Sequence, residues 1–262
     1  MKNRIGWSVC AFRLAGLVLC AGIAGACHPG KAAAASSPKQ AKDLGPAPKT
    51  LVVYWALSPD GERLAYKTAN GPKAGMFCDR KEGPAYDDVG WPFFSADSRH
   101  MAYCAKRRDE KLKEHWSAVY DGKEGPSYDE IQWAIVQLPS PFLFSPDSRH
   151  VAYAARRDGP DAKPKWFVVY DGKEGLPYDL IEGGLPKLKP MFSSDSRHFV
   201  YWGRRLNKEG AYDWFFVLDG VESGPYVSVQ VLQEKEEDAG RIRYFVLDGT
   251  RASLIEIEWP KK

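Results

Sequence analysis

The sequence predicts an all-β fold, a β-propeller of four-stranded antiparallel blades, and three observations carry that prediction. The segment Phe144 to Tyr153, FSPDSRHVAY, returns as Phe94 to Tyr103, FSADSRHMAY, and as Phe192 to Tyr201, FSSDSRHFVY, with a looser copy at Leu57 to Tyr66. Its aspartates Asp60, Asp97, Asp147 and Asp195 are spaced by 37, 50 and 48 residues, the range in which one supersecondary unit recurs and stacks on its copies. A second turn, Tyr120-Asp121-Gly122-Lys123-Glu124-Gly125, is repeated at Tyr170 to Gly175, with weaker copies at Cys78 to Gly83, Leu218 to Gly224 and Leu247 to Arg251. Turn residues interrupt every apolar run after residue 50 before a helix could reach its usual length.

The copy beginning at Pro141 gives the elements of one unit in order. Phe142 to Ser145 is a short strand, and Pro146-Asp147-Ser148 reverses it, proline presetting φ and aspartate capping its own backbone. A second strand runs through Val151 to Ala154, followed by a polar loop over Arg156 to Lys165. Trp166 to Tyr170, aromatic and β-branched, is the third strand. The Asp171-Gly172 turn leads to the fourth, Tyr178 to Ile181. Four such strands every 40 to 50 residues make one propeller blade, and radial closure leaves few exposed sheet edges. Counting the second turn gives five blades, the last irregular because Val229 to Trp259 lacks the Pro-Asp hairpin. Four complete blades with a tail, or an open array, are the alternatives.

The first 27 residues carry Lys2, Arg4 and Arg13, an apolar run from Leu14 to Ile23, then Ala24-Gly25-Ala26-Cys27, with no acidic residue before Asp43. Ten apolar residues are too few to span a bilayer, and the order of charge, apolar centre and small residues is that of a secretory peptide. Small residues leading into Cys27 resemble the bacterial lipoprotein cleavage box, which assigns the lipid to Cys27, although Ala24 stands where leucine is usual. Cleavage after Ala26 or near Ala35 without lipid is the competing reading. The expected location is therefore the periplasm or outer membrane, with membrane contact only through the anchor. Residues 28 to 50, rich in Ala, Pro, Lys and Ser, read as a disordered tether, and residues 51 to 260 as the propeller domain.

Of 37 basic residues, Lys2, Arg4 and Arg13 lie in the export segment, so 34 remain against 34 acidic ones. A chain without net charge argues against bulk nucleic-acid binding, which neutralises many phosphates. Cys78 and Cys104 are the only cysteines beyond residue 27. Sequence cannot place their Cα atoms within the ~4.4–6.8 Å of a disulfide, and free thiols are the favoured reading.

The Ser-Pro-Asp-Gly/Ser-x-x-apolar-Ala-Tyr hairpin at Ser58 to Tyr66 and Ser145 to Tyr153, with one or two changes at Ser95 and Ser193, resembles the Pro-Asp repeat of the TolB-like propellers of bacterial envelopes. The resemblance covers most of residues 51 to 228 and implies the propeller and an envelope location. That family places an α/β domain before a six-bladed propeller, whereas here a tether precedes about five blades, so the TolB role itself does not transfer.

Catalytic motifs are scarce. There is no Gly-x-Ser-x-Gly elbow, and Asp60-Gly61 are adjacent where a sialidase Asp-box separates them. Glu124 and Glu174 sit in hairpin turns and are expected to be solvated there. His100, His150 and His198 would lie too far apart around a propeller axis to share one metal at ~2.0–2.1 Å, and neither metal nor cofactor is expected. Trp116, Trp166 and Trp214 occupy one strand position and read as packing between blades.

Because strands alternate in direction, both kinds of turn share one face of the disc and the longer loops share the other. The long-loop face begins with Lys106-Arg107-Arg108, Arg156-Arg157 and Arg204-Arg205, and its loops between blades carry Trp91, Trp133, Lys187 and Lys189. Arginine forks beside indoles suit carboxylate or phosphate groups attached to an apolar body. The candidate ligand site is therefore Trp91, Arg107, Trp133, Arg156, Arg157, Arg204 and Arg205. The expected function is a non-enzymatic binding or scaffold module that meets an envelope protein or an anionic envelope component. The rival is an envelope hydrolase with its site at the central channel, to be recognised by carboxylates converging there. A degenerate repeat with a purely structural role is the third reading.

Overall fold

The computed structural model describes residues 43–46, 54–131, 140–159, 163–183, 188–232 and 241–258. Among them every regular element is a β-strand, and the strands form five antiparallel sheets. The first sheet takes Trp55–Leu57, Leu64–Asn70, Lys73–Cys78 and Lys81–Glu82 in that order. The next three repeat one plan, in which an edge strand broken into two pieces pairs with the same long second strand. In the second sheet Asp88–Val89 and Phe93–Phe94 pair with Met101–Arg108, followed by Glu114–Tyr120 and Lys123–Tyr128. The third uses Glu130–Ile131 and Leu143–Phe144, then Val151–Asp158, Pro164–Tyr170 and Lys173–Glu174. The fourth uses Leu180–Ile181 and Met191–Phe192, then Phe199–Leu206, Tyr212–Leu218 and Val221–Tyr226. The fifth has three strands, Ser228–Val231, Arg241–Leu247 and Ala252–Glu258.

One predicted strand divides between two sheets. Tyr178 bridges Trp166 in its own sheet, while Leu180 and Ile181 pair with Arg204 and Gly203 of the next. The chain thus passes straight from the outer edge of one sheet to the inner edge of its neighbour, and Tyr178 to Ile181 is not simply a fourth strand of the third unit.

The Pro-Asp turns explain why the sheets converge at that inner edge. In each turn the first serine donates to the aspartate two residues on, as in Ser145 Oγ to Asp147 Oδ1 at 2.6 Å, and its oxygen accepts the His150 N–H at 3.0 Å. The second serine takes a left-handed backbone, with φ of 66° at Ser98 and 64° at Ser148 and Ser196. For a residue with a Cβ this conformation costs free energy. It is offset by a bond to the neighbouring sheet, because these hydroxyls accept the N–H of the preceding turn's aspartate: Asp60 to Ser98 at 3.0 Å, Asp97 to Ser148 at 3.1 Å and Asp147 to Ser196 at 2.9 Å.

The three histidines tie the two turn types of one sheet together. His100, His150 and His198 each place Nδ1 2.7 Å from Asp121, Asp171 and Asp219 of the Asp-Gly turn. The other carboxylate oxygen accepts the N–H of the residue after the histidine, at 2.9, 3.0 and 2.8 Å. Arg63 does the same work in the first sheet by gripping Asp79 with two nitrogens, at 2.9 and 2.7 Å. Both turn types therefore lie at one end of the sheets, as the strand directions require.

Apolar side chains fill the four gaps between successive sheets. Residues 101–105, 151–155 and 199–203 are buried at every position, because both faces of those sheets are covered. In the fifth sheet Ile242, Tyr244 and Val246 are buried while the alternate residues are not, the period-2 pattern of a sheet packed on one side. Trp116, Trp166 and Trp214 pack in the gaps as expected. Cys78 and Cys104 are free thiols, and burial pushes them up to about 11 and about 12. Of residues 1–50, where an export segment and a tether are expected from the sequence, only 43–46 are described, and Cys27 lies outside the described residues. Asp43 accepts from Arg80 Nη2 at 3.1 Å and the Pro46 carbonyl accepts from Tyr66 at 3.1 Å, so this stretch rests on the first sheet.

Candidate functional site

The paired basic residues at the ends of the second strands point to opposite sides of their sheets, since neighbours on a strand alternate. Arg107, Arg157 and Arg205 turn toward the preceding sheet, each lying over a buried tyrosine: Tyr86 at 4.3 Å, Tyr128 at 4.8 Å and Tyr178 at 4.4 Å from the ring centre. Each also holds a glutamate with two nitrogens. Arg107 reaches Glu124 at 3.2 and 3.0 Å, Arg157 reaches Glu174 at 3.0 and 2.7 Å, and Arg205 reaches Glu222 at 2.9 and 2.6 Å. The glutamate accepts the tyrosine hydroxyl as well, at 3.3 Å for Tyr86 and 2.9 Å for Tyr128, with Tyr178 bonded to Glu222 in the same way. Glu124 and Glu174 are therefore not merely solvated turn residues. The bonds from Arg107 and Arg157 hold their carboxyls below the usual range. These arginines act as clamps between sheets.

The other member of each pair faces the following sheet and meets carboxylates. Lys106 Nζ lies 3.0 Å from Glu114 and 4.0 Å from Asp88, over the Trp116 ring at 5.4 Å. Lys67 of the first sheet also reaches Asp88, at 2.5 Å. Arg156 sits between Glu130 and Asp158, with Nε to Glu130 at 2.9 Å and Nη1 to Asp158 at 2.8 Å. Arg204 bonds Glu182 at 2.9 Å, the glutamate 1% exposed, and lies 4.6 Å from the Trp214 ring centre. The charge of every arginine in the candidate site thus already meets a carboxylate. Trp91, half exposed, belongs to the break in the inner edge strand and meets the edge of Tyr54 at 5.1 Å. Trp133 and Lys187 lie outside the described residues.

A recurring dipeptide that the sequence reading passed over organises this end of the sheets. Tyr86-Asp87, Tyr128-Asp129 and Tyr178-Asp179 mark the first three of the four crossings between sheets. The tyrosine is buried in the gap, and the aspartate accepts a backbone N–H from the end of the next second strand: Arg108, Asp158 and Leu206, each at 2.8 Å. A lysine of the third strand in the sheet being left, Lys73, reaches Asp87 at 2.7 Å, and Lys165 bonds Asp179 in the same manner. The repetition of Tyr-Asp was the available signal. Among the described residues no group of three or more His, Cys, Asp or Glu side chains gathers as a metal shell.

No protein family and no curated protein matches this chain. Solved structures with a similar arrangement include the β-propeller domain of the Trilobed protease from Pyrococcus furiosus, at 14% identity and a TM-score of 0.37, covering 77% of this chain and 71% of that one. An acylaminoacyl peptidase from Pyrococcus horikoshii matches at 11% identity and 0.36, covering 80% of this chain and 38% of the peptidase. The tricorn protease matches at 10% and 0.30, covering 79% and 27%. The chain thus spans less than two fifths of either whole peptidase. At this level the likeness extends to a propeller-type fold and no further. The expectation of a non-enzymatic binding or scaffold module is corrected: the similar structures named are peptidases or part of one, and the arginines expected to stand open for a ligand are paired with carboxylates.

Proposed function

We propose that this chain is a hydrolase of the bacterial envelope, acting on peptides or glycans where its second strands end. The observation that carries the reading is the Arg156 cluster, in which one guanidinium is held 2.9 Å from Glu130 and 2.8 Å from Asp158. The three side chains are 26, 31 and 39% exposed, so substrate and water can reach them. A carboxylate beside a guanidinium offers a base for an attacking water and N–H donors for the oxyanion that forms, two effects that act together in the transition state. Lys106 between Asp88 and Glu114 repeats the arrangement one sheet earlier. Converging carboxylates were the feature that separates a hydrolase from a basic binding face, and they support the former.

The same proposal takes the TolB-like repeat as the ancestry of the fold, the five sheets as an open array, and Cys27 as the lipid anchor of an exported protein. The test is turnover of fluorescently labelled peptides and of cell-wall glycan fragments by the purified protein. Glu130→Gln with Asp158→Asn should lower the rate by about 10² or more and leave the melting temperature unchanged. No turnover of either substrate by the wild type would end the proposal.

A further inference from the structure

Positive charge without a close carboxylate partner recurs in register at the turn end of the sheets, opposite the end that holds the Arg156 cluster. Arg99, Arg149 and Arg197 precede the three histidines, and all are exposed. Arg149 and Arg197, each with 81% of the side chain exposed, come only within 4.0 and 3.8 Å of the aspartate two residues earlier. Lys81, Lys123 and Lys173, at the start of the strand after each Asp-Gly turn, are exposed and make no ion pair among the described residues. One lysine from each sheet and one arginine from the next recur together across three successive gaps.

In two of those gaps the pair overhangs a cavity. Between the third and fourth sheets a cavity of about 440 Å³ is floored by Val168, Tyr170, Phe199 and Tyr201, with Lys173 and Arg197 in its wall. Between the first and second sheets a cavity of about 460 Å³ occupies the equivalent place, with Met76, Met101 and Tyr103 in its wall beside Lys81 and Arg99. Both volumes are those of small-molecule sites, which combine an apolar surface with a few polar groups that orient the ligand. The acids beside the first cavity are already engaged: Glu174 by Arg157 and Tyr128, Asp219 by His198 and the Phe199 N–H. The charge of Glu174 is therefore met by Arg157 and both oxygens of Asp219 are occupied by hydrogen bonds, whereas Lys173 makes no ion pair among the described residues and Arg197 has only the 3.8 Å approach to Asp195. The series stops at the gap between the fourth and fifth sheets, where exposed Val221 of the fourth sheet follows the Asp219-Gly220 turn in place of lysine.

We infer that each of these two grooves binds a small amphipathic anion, its ring or short aliphatic body against the apolar floor and its carboxylate or phosphate between the lysine and the arginine. Apolar contact and charge-assisted hydrogen bonds then act on one molecule, and neither half of the ligand suffices alone. The site is distinct from the carboxylate clusters and does not depend on them.

The test titrates isotope-labelled full-length protein with phenyl phosphate and with phenylacetate, using benzyl alcohol and inorganic phosphate as half-ligands, and follows amide shifts by NMR. Saturable shifts are expected at Val168 and Phe199 and at Met76 and Met101 with one or both aromatic anions, and the stronger of the two identifies the anionic group. Each half-ligand should bind about tenfold more weakly or worse. Lys173→Glu with Arg197→Glu, both exposed, should abolish the shifts in the first groove and leave those in the second, which also shows that the fold is intact. Equal binding by the reversed protein, equal binding by either half-ligand, or absence of shifts in both grooves would overturn the inference.

Discussion

Gly203 is the sharpest test of how closely the sheets approach one another. It lies in Phe199–Leu206, where the equivalent residues of the two preceding sheets are Ala105 and Ala155. A methyl group placed on Gly203 would stand 2.2 Å from Tyr178 Cδ1 and 2.4 Å from its Cε1. Ordinary carbon contacts begin near 3.5 Å, so Gly203→Ala must displace the tyrosine ring by more than about 1 Å. That ring is fully buried, bonded to Glu222 through its hydroxyl and covered by Arg205. Overpacking of this kind costs about 1–3 kcal/mol, and weakening the hydroxyl bond adds about 1 kcal/mol. In a domain of about 200 residues, where 1 kcal/mol shifts the midpoint by about 2–4 °C, the melting temperature should fall by roughly 4–16 °C. Thermal unfolding followed by circular dichroism measures it. Ala155→Gly is the control in the opposite sense, since it removes a buried methyl and loosens a strand, and it should cost about 1–2 kcal/mol without any clash. A Gly203→Ala protein melting within 1 °C of wild type would show that the fourth sheet accommodates a side chain as the second and third do, and the close approach would be wrong.

Two further outcomes follow from the charges and the N-terminus. Glu124 and Glu174 are held below the usual carboxylate range by Arg107 and Arg157, so their contribution to stability is present above the unfolded value of about 4.3 and is lost as pH falls through the depressed folded values. The melting temperature should therefore drop on acidification below about pH 5, and Glu174→Gln should flatten part of that slope; a melting temperature level from pH 5 to pH 3 contradicts the clamp. Radioactive palmitate should label the wild-type chain and not Cys27→Ala, and a labelled variant would remove the lipid anchor.

What was legible in the sequence was local. Pro-Asp and Asp-Gly turns specify their conformation within three or four residues, so the hairpins, the antiparallel sheets and the common end of the two turn types could all be read from them. The partners of the arginines are not local, and they decide what the long-loop end can do. Even so the sequence held a sign of them, because Arg107 and Glu124, Arg157 and Glu174, and Arg205 and Glu222 are each 17 residues apart. The histidines and the aspartates that hold them are likewise separated by 21 in every copy. Opposite charges at one fixed offset through a repeat are candidates for a pair, whereas the same arginines taken alone look like free ligand-binding forks. The passage of Tyr178 to Ile181 between two sheets had no such sign, since a short apolar strand reads the same whichever sheet receives it.

The first and fifth sheets bear on whether the proposed hydrolysis at the Arg156 cluster needs a closed channel. Each internal turn carries a serine that accepts from the turn before it, and the first turn has Gly61 at that position, with φ of 71° and no hydroxyl to offer. The series of bonds thus has a beginning at Asp60 and runs through Ser98, Ser148 and Ser196. At its far end the fifth sheet joins Ser228–Val231 to Arg241–Leu247 without a Pro-Asp turn. Its outer face leaves Leu254 53% exposed, whereas the second strands of the internal sheets are buried on both sides. The first sheet's stacked Tyr66 and Phe77 are met by residues 43–46, Tyr66 through the Pro46 carbonyl. In the open array proposed above, these features are its two ends. Arg156, Glu130 and Asp158 all belong to the third sheet, whose neighbours cover it on both sides, so the proposed site is complete within the middle of the array and does not need the ends to meet.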